Sequence, residues 1–460
     1  MNHRKQHSSW LFFLVTCCLI SLLTACGSQS TPGTGNTGAT PGASSTQSIA
    51  PNPTPGNQGS PQTVPMPVTT TACPAANSGR TAVTRPLVLG QSQNLVYAYK
   101  DASSTWHLRR YNVATGQKTD IYTTGAGAIE QAQVSADGAW VLFLLDSYSA
   151  MRTDARAKIE MVRMDGQGAQ TLYCFPTNEQ FTPGPGSGTG APPVSVQWSP
   201  DQKALLFSTD TVGNTSTIYN LDMTSGNLRV VYKDAGNTLY STSIVTWLDN
   251  ANAYIITKGR TAPQPPATIH LLNIPGSSVN HRDETQIFQG GGRMNELSID
   301  SSFDGARLYI DDCLLAGAPF KTSISVEPAH GGAQQSIYQP PASLCVDEIR
   351  VISSTTMLML VSNYNTSSSL IQHQVWTMHT DGTGQRTLNT LPVNDSHYLL
   401  NPNTQDVWSN ISRDGRMYAL EQYSNRGVEN LVLGSLNGGN PTTFASSQAD
   451  TLVLAGWTTI

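Results

Sequence analysis

One unit recurs along this chain about every fifty residues: an apolar strand, a tight polar turn and a second apolar strand. It is clearest at Val134-Ser135-Ala136-Asp137-Gly138 before Trp140-Val141-Leu142-Phe143, at Val196-Gln197-Trp198-Ser199-Pro200-Asp201 before Ala204-Leu205-Leu206-Phe207, and at Ile411-Ser412-Arg413-Asp414-Gly415 before Met417-Tyr418-Ala419-Leu420. Weaker copies stand around Val245 to Ile256, Phe303 to Ile310 and Ile352 to Leu360, which makes six. Behind each copy lies another strand pair around a short turn, as in Ile159 to Asp165 with Asp165-Gly166, or Val375 to His379 with Asp381-Gly382. A unit this short cannot bury its own apolar face, so copies must stack on one another.

Four short strands per repeat at this spacing predict an all-β fold built from four-stranded antiparallel blades, a β-propeller. The ends of the chain supply a seventh blade. Leu452-Val453-Leu454-Ala455-Gly456-Trp457 reads as a first strand with Trp457 standing where Trp198 and Trp247 stand, and no partner strand follows it. Leu95 to Tyr99, Leu108 to Val113 and Thr119 to Tyr122 read as strands two, three and four of a blade that lacks its first. Joining them completes the ring and removes open sheet edges. The alternative gives the missing strand to Pro86 to Leu89 and packs the C-terminus elsewhere; the tryptophan alignment favours closure by the C-terminal strand.

Ser199-Pro200-Asp201 and its Asp-Gly variants, each followed by an apolar strand, resemble the repeat of TolB-type propellers, which are related in shape to WD-repeat proteins. Gln202, Asn250 and Thr355 depart from that pattern where glycine is expected. The resemblance implies the fold and a habit of binding partners through the propeller faces; it implies no particular partner.

The N-terminus predicts export. Arg4 and Lys5 precede an apolar run from Trp10 to Leu23, too short at 14 residues to span a bilayer as a helix. Leu23-Thr24-Ala25-Cys26 resembles the lipobox of bacterial lipoproteins, which implies a signal peptide over 1–25, lipidation at Cys26 and stable attachment to a membrane by two acyl chains. Gly27 is not the Asp that resembles an inner-membrane retention signal, so the expected location is the cell membrane or outer membrane, facing outside the cytoplasm. Residues 26–72 then form a Gly/Pro/Ser/Thr tether without charge from Gly27 to Ala72, and 73–460 form the propeller. Four cysteines remain beyond the leader and the lipid site: Cys73, Cys174, Cys313 and Cys345. An even number in an exported chain suits two disulfides. Of three connectivities, Cys313 with Cys345 and Cys73 with Cys174 is favoured, because Cys313 and Cys345 fall at one end of neighbouring blades.

Several chemistries lack support. Only 12% of residues are charged, and loss of Arg4 and Lys5 leaves 24 basic against 31 acidic groups, a net charge of −7, so no phosphate-neutralising surface and no nucleic-acid partner are expected. No Gly-x-Ser-x-Gly, Walker loop or His-Glu-x-x-His occurs, no Gly-rich fingerprint follows a strand and opens a helix, and the cysteines lack zinc spacing, so no cofactor or metal is expected. Asp311-Asp312 and Asp347-Glu348 pair carboxylates, yet adjacent strand residues point to opposite faces. His107, His270, His281, His330, His373, His379 and His397 are scattered in sequence. Gln374-Val375-Trp376 matches a lectin tripeptide but occurs once, on a predicted strand.

The expected function is therefore binding of a protein, peptide or envelope glycan without catalysis; the alternative is a polysaccharide lyase or glycosidase with an axial site. Turns between strands one and two and between three and four are tight, so one face is plain. The insertions Ser147 to Ala157, Phe175 to Pro193, Gly259 to Ala267, Leu314 to Phe320 and Asn389 to Gln405 are assigned to the other face. Within them Arg152, Arg156, Phe181, Arg260, His397 and Tyr398 are the expected binding groups, since aromatic and Arg side chains concentrate interface energy.

Overall fold

The computed structural model describes residues 72–80, 87–125, 127–146, 157–175, 195–210, 216–233, 240–259, 268–284, 295–314, 321–365, 369–399, 410–424, 427–448 and 451–460. Their strands form seven four-stranded antiparallel sheets. Blade 1 holds β1 (Gln93–Lys100), β2 (Trp106–Asn112) and β3 (Lys118–Thr124); blade 2 holds β4 (Ala128–Val134), β5 (Trp140–Asp146), β6 (Lys158–Arg163) and β7 (Gln170–Cys174). Blade 3 runs β8 (Ser195–Trp198), β9 (Ala204–Asp210), β10 (Ser216–Asp222), β11 (Leu228–Lys233), and blade 4 runs β12 (Tyr240–Trp247), β13 (Asn252–Gly259), β14 (Thr268–Asn273), β15 (Ser278–Glu284). Blade 5 comprises β16 (Asn295–Ser301), β17 (Arg307–Leu314), β18 (Lys321–Pro328) and β19 (Gln335–Tyr338). Blade 6 comprises β20 (Leu344–Ser353), β21 (Thr356–Tyr364), β22 (Leu370–His379) and β23 (Arg386–Leu391). Blade 7 comprises β24 (Ser396–Tyr398), β25 (Met417–Tyr423), β26 (Val428–Ser435) and β27 (Thr442–Gln448), and the chain ends in β28 (Leu452–Thr459).

β28 pairs antiparallel with β1, Trp457 opposite Leu95, and so becomes the first strand of blade 1. Residues 87–92 form no strand. The first strands pack against one another around the ring, β28 on β4, β4 on β8, β8 on β12, β12 on β16 and β16 on β20. Trp198, Trp247 and Trp457 are buried at the equivalent ends of three of them.

The recurring sequence motif is explained by its turn. In four blades a serine hydroxyl donates to the aspartate two residues on: Ser135 to Asp137 (2.6 Å), Ser199 to Asp201 (2.8 Å), Ser302 to Asp304 (2.5 Å) and Ser412 to Asp414 (2.5 Å). That aspartate accepts the N–H two residues further, and the serine oxygen accepts the first N–H of the next strand, as at Trp140 and Ala204. The intervening residue is left-handed, with φ +73° at Gly138 and +59° at Gln202. Gln202 thus keeps the turn without the glycine, whereas Asn250 and Thr355 have no left-handed φ, and their blades use turns held instead by Asp249 and Ser353.

Both disulfides form in the favoured pairing, Cys73–Cys174 and Cys313–Cys345, with Cα atoms 5.7 and 5.6 Å apart. The second crosses from β17 to β20. The first fixes the segment before the propeller, and Arg80 extends that attachment with its Nε donating to the Leu172 carbonyl (2.8 Å).

Inner strands leave one backbone edge without a ladder, and side chains from the neighbouring blade cap it. Gln131 and Gln133 accept from the Val196 and Trp198 N–H groups, and Ser298 and Asp300 accept from Ile349 (3.0 Å) and Val351 (2.7 Å). The i, i+2 spacing works because alternate strand residues share a face. The closing strand is held the same way: Glu421 accepts from Leu454 N–H (2.9 Å), and Glu429 from Thr451 (3.1 Å) and Leu452 (2.9 Å). Asp300 is fully buried, and burial pushes its carboxyl up to about 6 against the opposing pull of Arg350.

Candidate functional site between blades 6 and 7

The strand ends that flank four of the expected insertions, in β5/β6, β7/β8, β13/β14 and β17/β18, are those where strands two and three or strands four and one are joined; the insertions themselves lie almost wholly outside the described residues. Arg152, Arg156, Phe181 and Arg260 lie outside the described residues, as does Cys26; Tyr398 is placed on β24 opposite Glu421, its side chain outside the described set. The fifth insertion is corrected. Asn389 belongs to β23, and His397 lies not on an exposed loop but on β24, 8% exposed. Tyr398 pairs with Glu421 and Ile411 bridges Tyr418, so β25 is met from both sides of 400–409, which lie outside the described residues. Sequence pattern missed this because three residues are too few to show a strand's alternation.

Two apolar sheets meet between blades 6 and 7, where Leu360, Val375, Leu391, Leu399 and Leu420 form one buried cluster. Toward the ends of β20 and β24 nearest the long connections, the same interface turns polar. Ser362 and His373 lie directly opposite each other on β21 and β22. The β20–β21 ladder pairs Val346 with Val361 and then Glu348 with Leu360, leaving Asp347 as a bulged residue. The bulge re-aims its side chain. Asp347 and Glu348 therefore serve different partners: Asp347 Oδ2 accepts from Ser362 Oγ (2.5 Å), while Glu348 Oε2 accepts from Leu399 N–H (2.9 Å) and pairs with Arg350 (3.2 Å).

These bonds fix protons. With the Ser362 hydroxyl donated to Asp347, its oxygen accepts from His373 Nδ1 at 2.9 Å, so His373 carries its proton on Nδ1 and presents Nε2 as a lone pair. His397 packs edge-on against His373, ring centroids 5.1 Å apart. Both its ring nitrogens are buried and make no hydrogen bond to the protein. Burial, reinforced by His373, pushes His397 down to about 3, and burial lowers His373 against the pull of Asp395, so both imidazoles are neutral at pH 7. Asp395 in turn accepts from Gln422 Nε2. Leaving a buried polar atom unmatched costs about 1–3 kcal/mol. The unmatched imidazole makes this interface the candidate site.

His373 and His397 stand 24 positions apart in sequence, and only the docking of two blades brings them together. Among the described residues no group of three or more His, Cys, Asp or Glu converges as metal ligands. Gln374-Val375-Trp376 sits within β22 with Val375 in the core.

No family model and no curated protein sequence matches the chain. Among solved structures it is similar to a prolyl endopeptidase at 12% identity and a TM-score of 0.50, covering 80% of this chain and 50% of that one, so it spans half that enzyme's length. It is also similar to a protein described as TolB from Agrobacterium tumefaciens (15% identity, TM-score 0.40, 75% of this chain and 99% of that one) and to TolB from Acinetobacter baumannii (12%, 0.44, 78% and 82%). At these identities the likeness is one of fold, a propeller.

Proposed function

We propose that this chain is an extracytoplasmic, lipid-tethered propeller that binds a protein, peptide or envelope-glycan partner through the face of its long connections and performs no chemistry there. The observation that carries this reading is the neutral His373–His397 pair near that face, in which both buried ring nitrogens of His397 have no hydrogen-bond partner in the chain. Its wiring favours binding over nucleophilic catalysis. Ser362 gives its proton to Asp347 and accepts from His373, so the imidazole lone pair points away from the hydroxyl it would have to activate. Two disulfides support an oxidising compartment. The tether and lipid rest on Cys26 and the uncharged stretch that follows it.

Two experiments test the reading. Metabolic labelling with an alkyne fatty acid should tag the wild-type chain and not Cys26→Ala; an equally tagged variant removes the anchor. Cross-linking in the intact envelope should lose its partner adduct when 175–193 is shortened and Tyr398 is replaced by Ala, and keep it when the opposite face is altered by Lys203→Glu and Arg416→Glu. The reverse pattern refutes the choice of face.

A further inference from the structure

We infer that Cys73–Cys174 is a thiol–disulfide exchange site that decides from which end of blade 2 the N-terminal chain leaves the propeller. The consequence for an anchored protein rests on the tethered reading above. The inference starts from a strap, residues 73–80, laid along the outer strand of blade 2. One end of the strap sits at the tight-turn face. The Arg80 N–H donates to the Met223 carbonyl (2.8 Å), and Ser78 and Gly79 press so closely on the β10–β11 turn that a Cβ at Gly226 would meet the Ser78 backbone and one at Gly79 the Thr224 carbonyl. The chain resumes at the same face, where Leu89 packs against Gly138 in the β4–β5 turn and the Gly90 N–H donates to the Thr459 carbonyl (2.9 Å). Halfway along β7, Arg80 Nε donates to the Leu172 carbonyl. The other end of the strap is Cys73, bonded to Cys174, the last residue of β7, where strand four leads to strand one of the next blade. β7 spans five residues, so the strap carries the chain about 14 Å from one end of the blade to the other, at ~3.4 Å per step.

Among the described residues the disulfide is the one bond that ties 73–77 to the blade; Ser78 folds back on the strap itself, its N–H and hydroxyl both donating to the Ala75 carbonyl (3.3 and 2.6 Å). The two disulfides of the chain also differ in reach. Cys313 and Cys345 are both 0% exposed, whereas Cys73 is exposed and Cys174 half-buried. A thiolate must approach one sulfur to begin exchange, so an external thiol meets Cys73 and is shut out from the other pair.

The reductant is a dithiol. Its thiolate forms a bond to Cys73 Sγ as the bond between Cys73 and Cys174 breaks, and Cys174 leaves with the electron pair and takes a proton. The second thiol of the reductant, deprotonated, then attacks the mixed disulfide and releases Cys73 as a thiolate, which is protonated in turn. The protein disulfide thus gains two electrons and two protons, and the dithiol loses them and closes as a disulfide. Lys158 stands directly opposite Cys174 in the β6–β7 ladder, on the same side of the sheet, and a cation there favours the departing thiolate. Reduction leaves Arg80 bonded to Met223 and Leu172, so the chain then departs at the tight-turn end. The oxidised protein carries its tether at the rim of the long-connection face, and the reduced protein frees that rim.

The test treats the full chain with dithiothreitol under native conditions, blocks free thiols with iodoacetamide at intervals and maps them by mass spectrometry. Cys73 and Cys174 are expected to be alkylated at least about tenfold faster than Cys313 and Cys345. A photoreactive p-benzoylphenylalanine in place of Ala72 reports the exit. In the oxidised protein its adducts should fall on peptides around the Cys174 end of β6 and β7. After reduction, and in Cys73→Ser with Cys174→Ser, they should move to the β8–β9 and β10–β11 turns. Equal alkylation of the two disulfides, or faster alkylation of Cys313 and Cys345, overturns the exchange site, and adducts that stay at the Cys174 end after reduction overturn the change of exit. Continued protection of Cys313 and Cys345 shows that the reduced protein is folded. Neither readout depends on lipid at Cys26, which the fatty-acid labelling decides, so failure of the tethered reading and failure of the exchange site give different results.

Discussion

His397→Phe should stabilise the fold, and by more at acid pH than at neutral pH. The replacement keeps an aromatic ring against His373 and removes two buried nitrogens that have no hydrogen-bond partner in the protein. Eliminating such unmatched groups while conserving shape is worth about 1–3 kcal/mol at pH 7.5. A second contribution comes from proton linkage. Burial pushes His397 down to about 3 in the fold, whereas an unfolded histidine titrates near 6.5. The unfolded wild type therefore binds the extra proton, so wild-type stability is intact above about pH 6.5 and falls as pH drops toward 3. At pH 4.5 the unfolded state gains about 2.7 kcal/mol from this one group, two pH units below its ordinary value. Phe cannot titrate, and the advantage of the variant should widen by that amount between pH 7.5 and 4.5. Asp300 moves the other way, its raised carboxyl favouring the fold as pH falls through about 6, but it is common to both proteins and cancels in the difference. Denaturant unfolding of both proteins at the two pH values measures the difference. Equal stability gaps at pH 7.5 and 4.5 would refute a buried, neutral His397, and a destabilised variant at pH 7.5 would show that its nitrogens are satisfied.

Two further outcomes probe the ring itself. Glu429→Ala leaves the Thr451 and Leu452 N–H groups without their acceptor and should cost about 2–6 kcal/mol, seen as faster amide exchange confined to β28 and β1; exchange that rises uniformly around the ring would deny Glu429 a part in closure. Replacing both cysteines of a disulfide by Ser should lower stability by roughly 3.7 kcal/mol for the 32-residue Cys313–Cys345 span and roughly 4.7 kcal/mol for the 101-residue Cys73–Cys174 span on chain-entropy grounds, read from denaturant midpoints; oxidised and reduced proteins of equal stability would contradict it.

What the amino-acid sequence determined was whatever is local and repeated. Alternating apolar residues mark strands, and Ser-x-Asp-Gly marks a turn that its own side chains hold, so the blade repeat and the tight-turn face were legible before any coordinates. Trp457 matched Trp198 and Trp247 because equivalent strands bury equivalent side chains, and that identified the closing strand. The disulfide pairing followed once blade order was known. Tertiary structure alone decided the site. Asp347 and Glu348 looked like neighbours on opposite faces until a bulge sent them to Ser362 and to Leu399, and a bulge leaves no mark in residue type. His397 looked like an exposed loop group because β24 spans only three residues, too short for periodicity to register. Its meeting with His373 depends on the packing of one blade against the next, a contact between residues that no repeat relates, and so on the geometry of the ring rather than on the pattern of the chain.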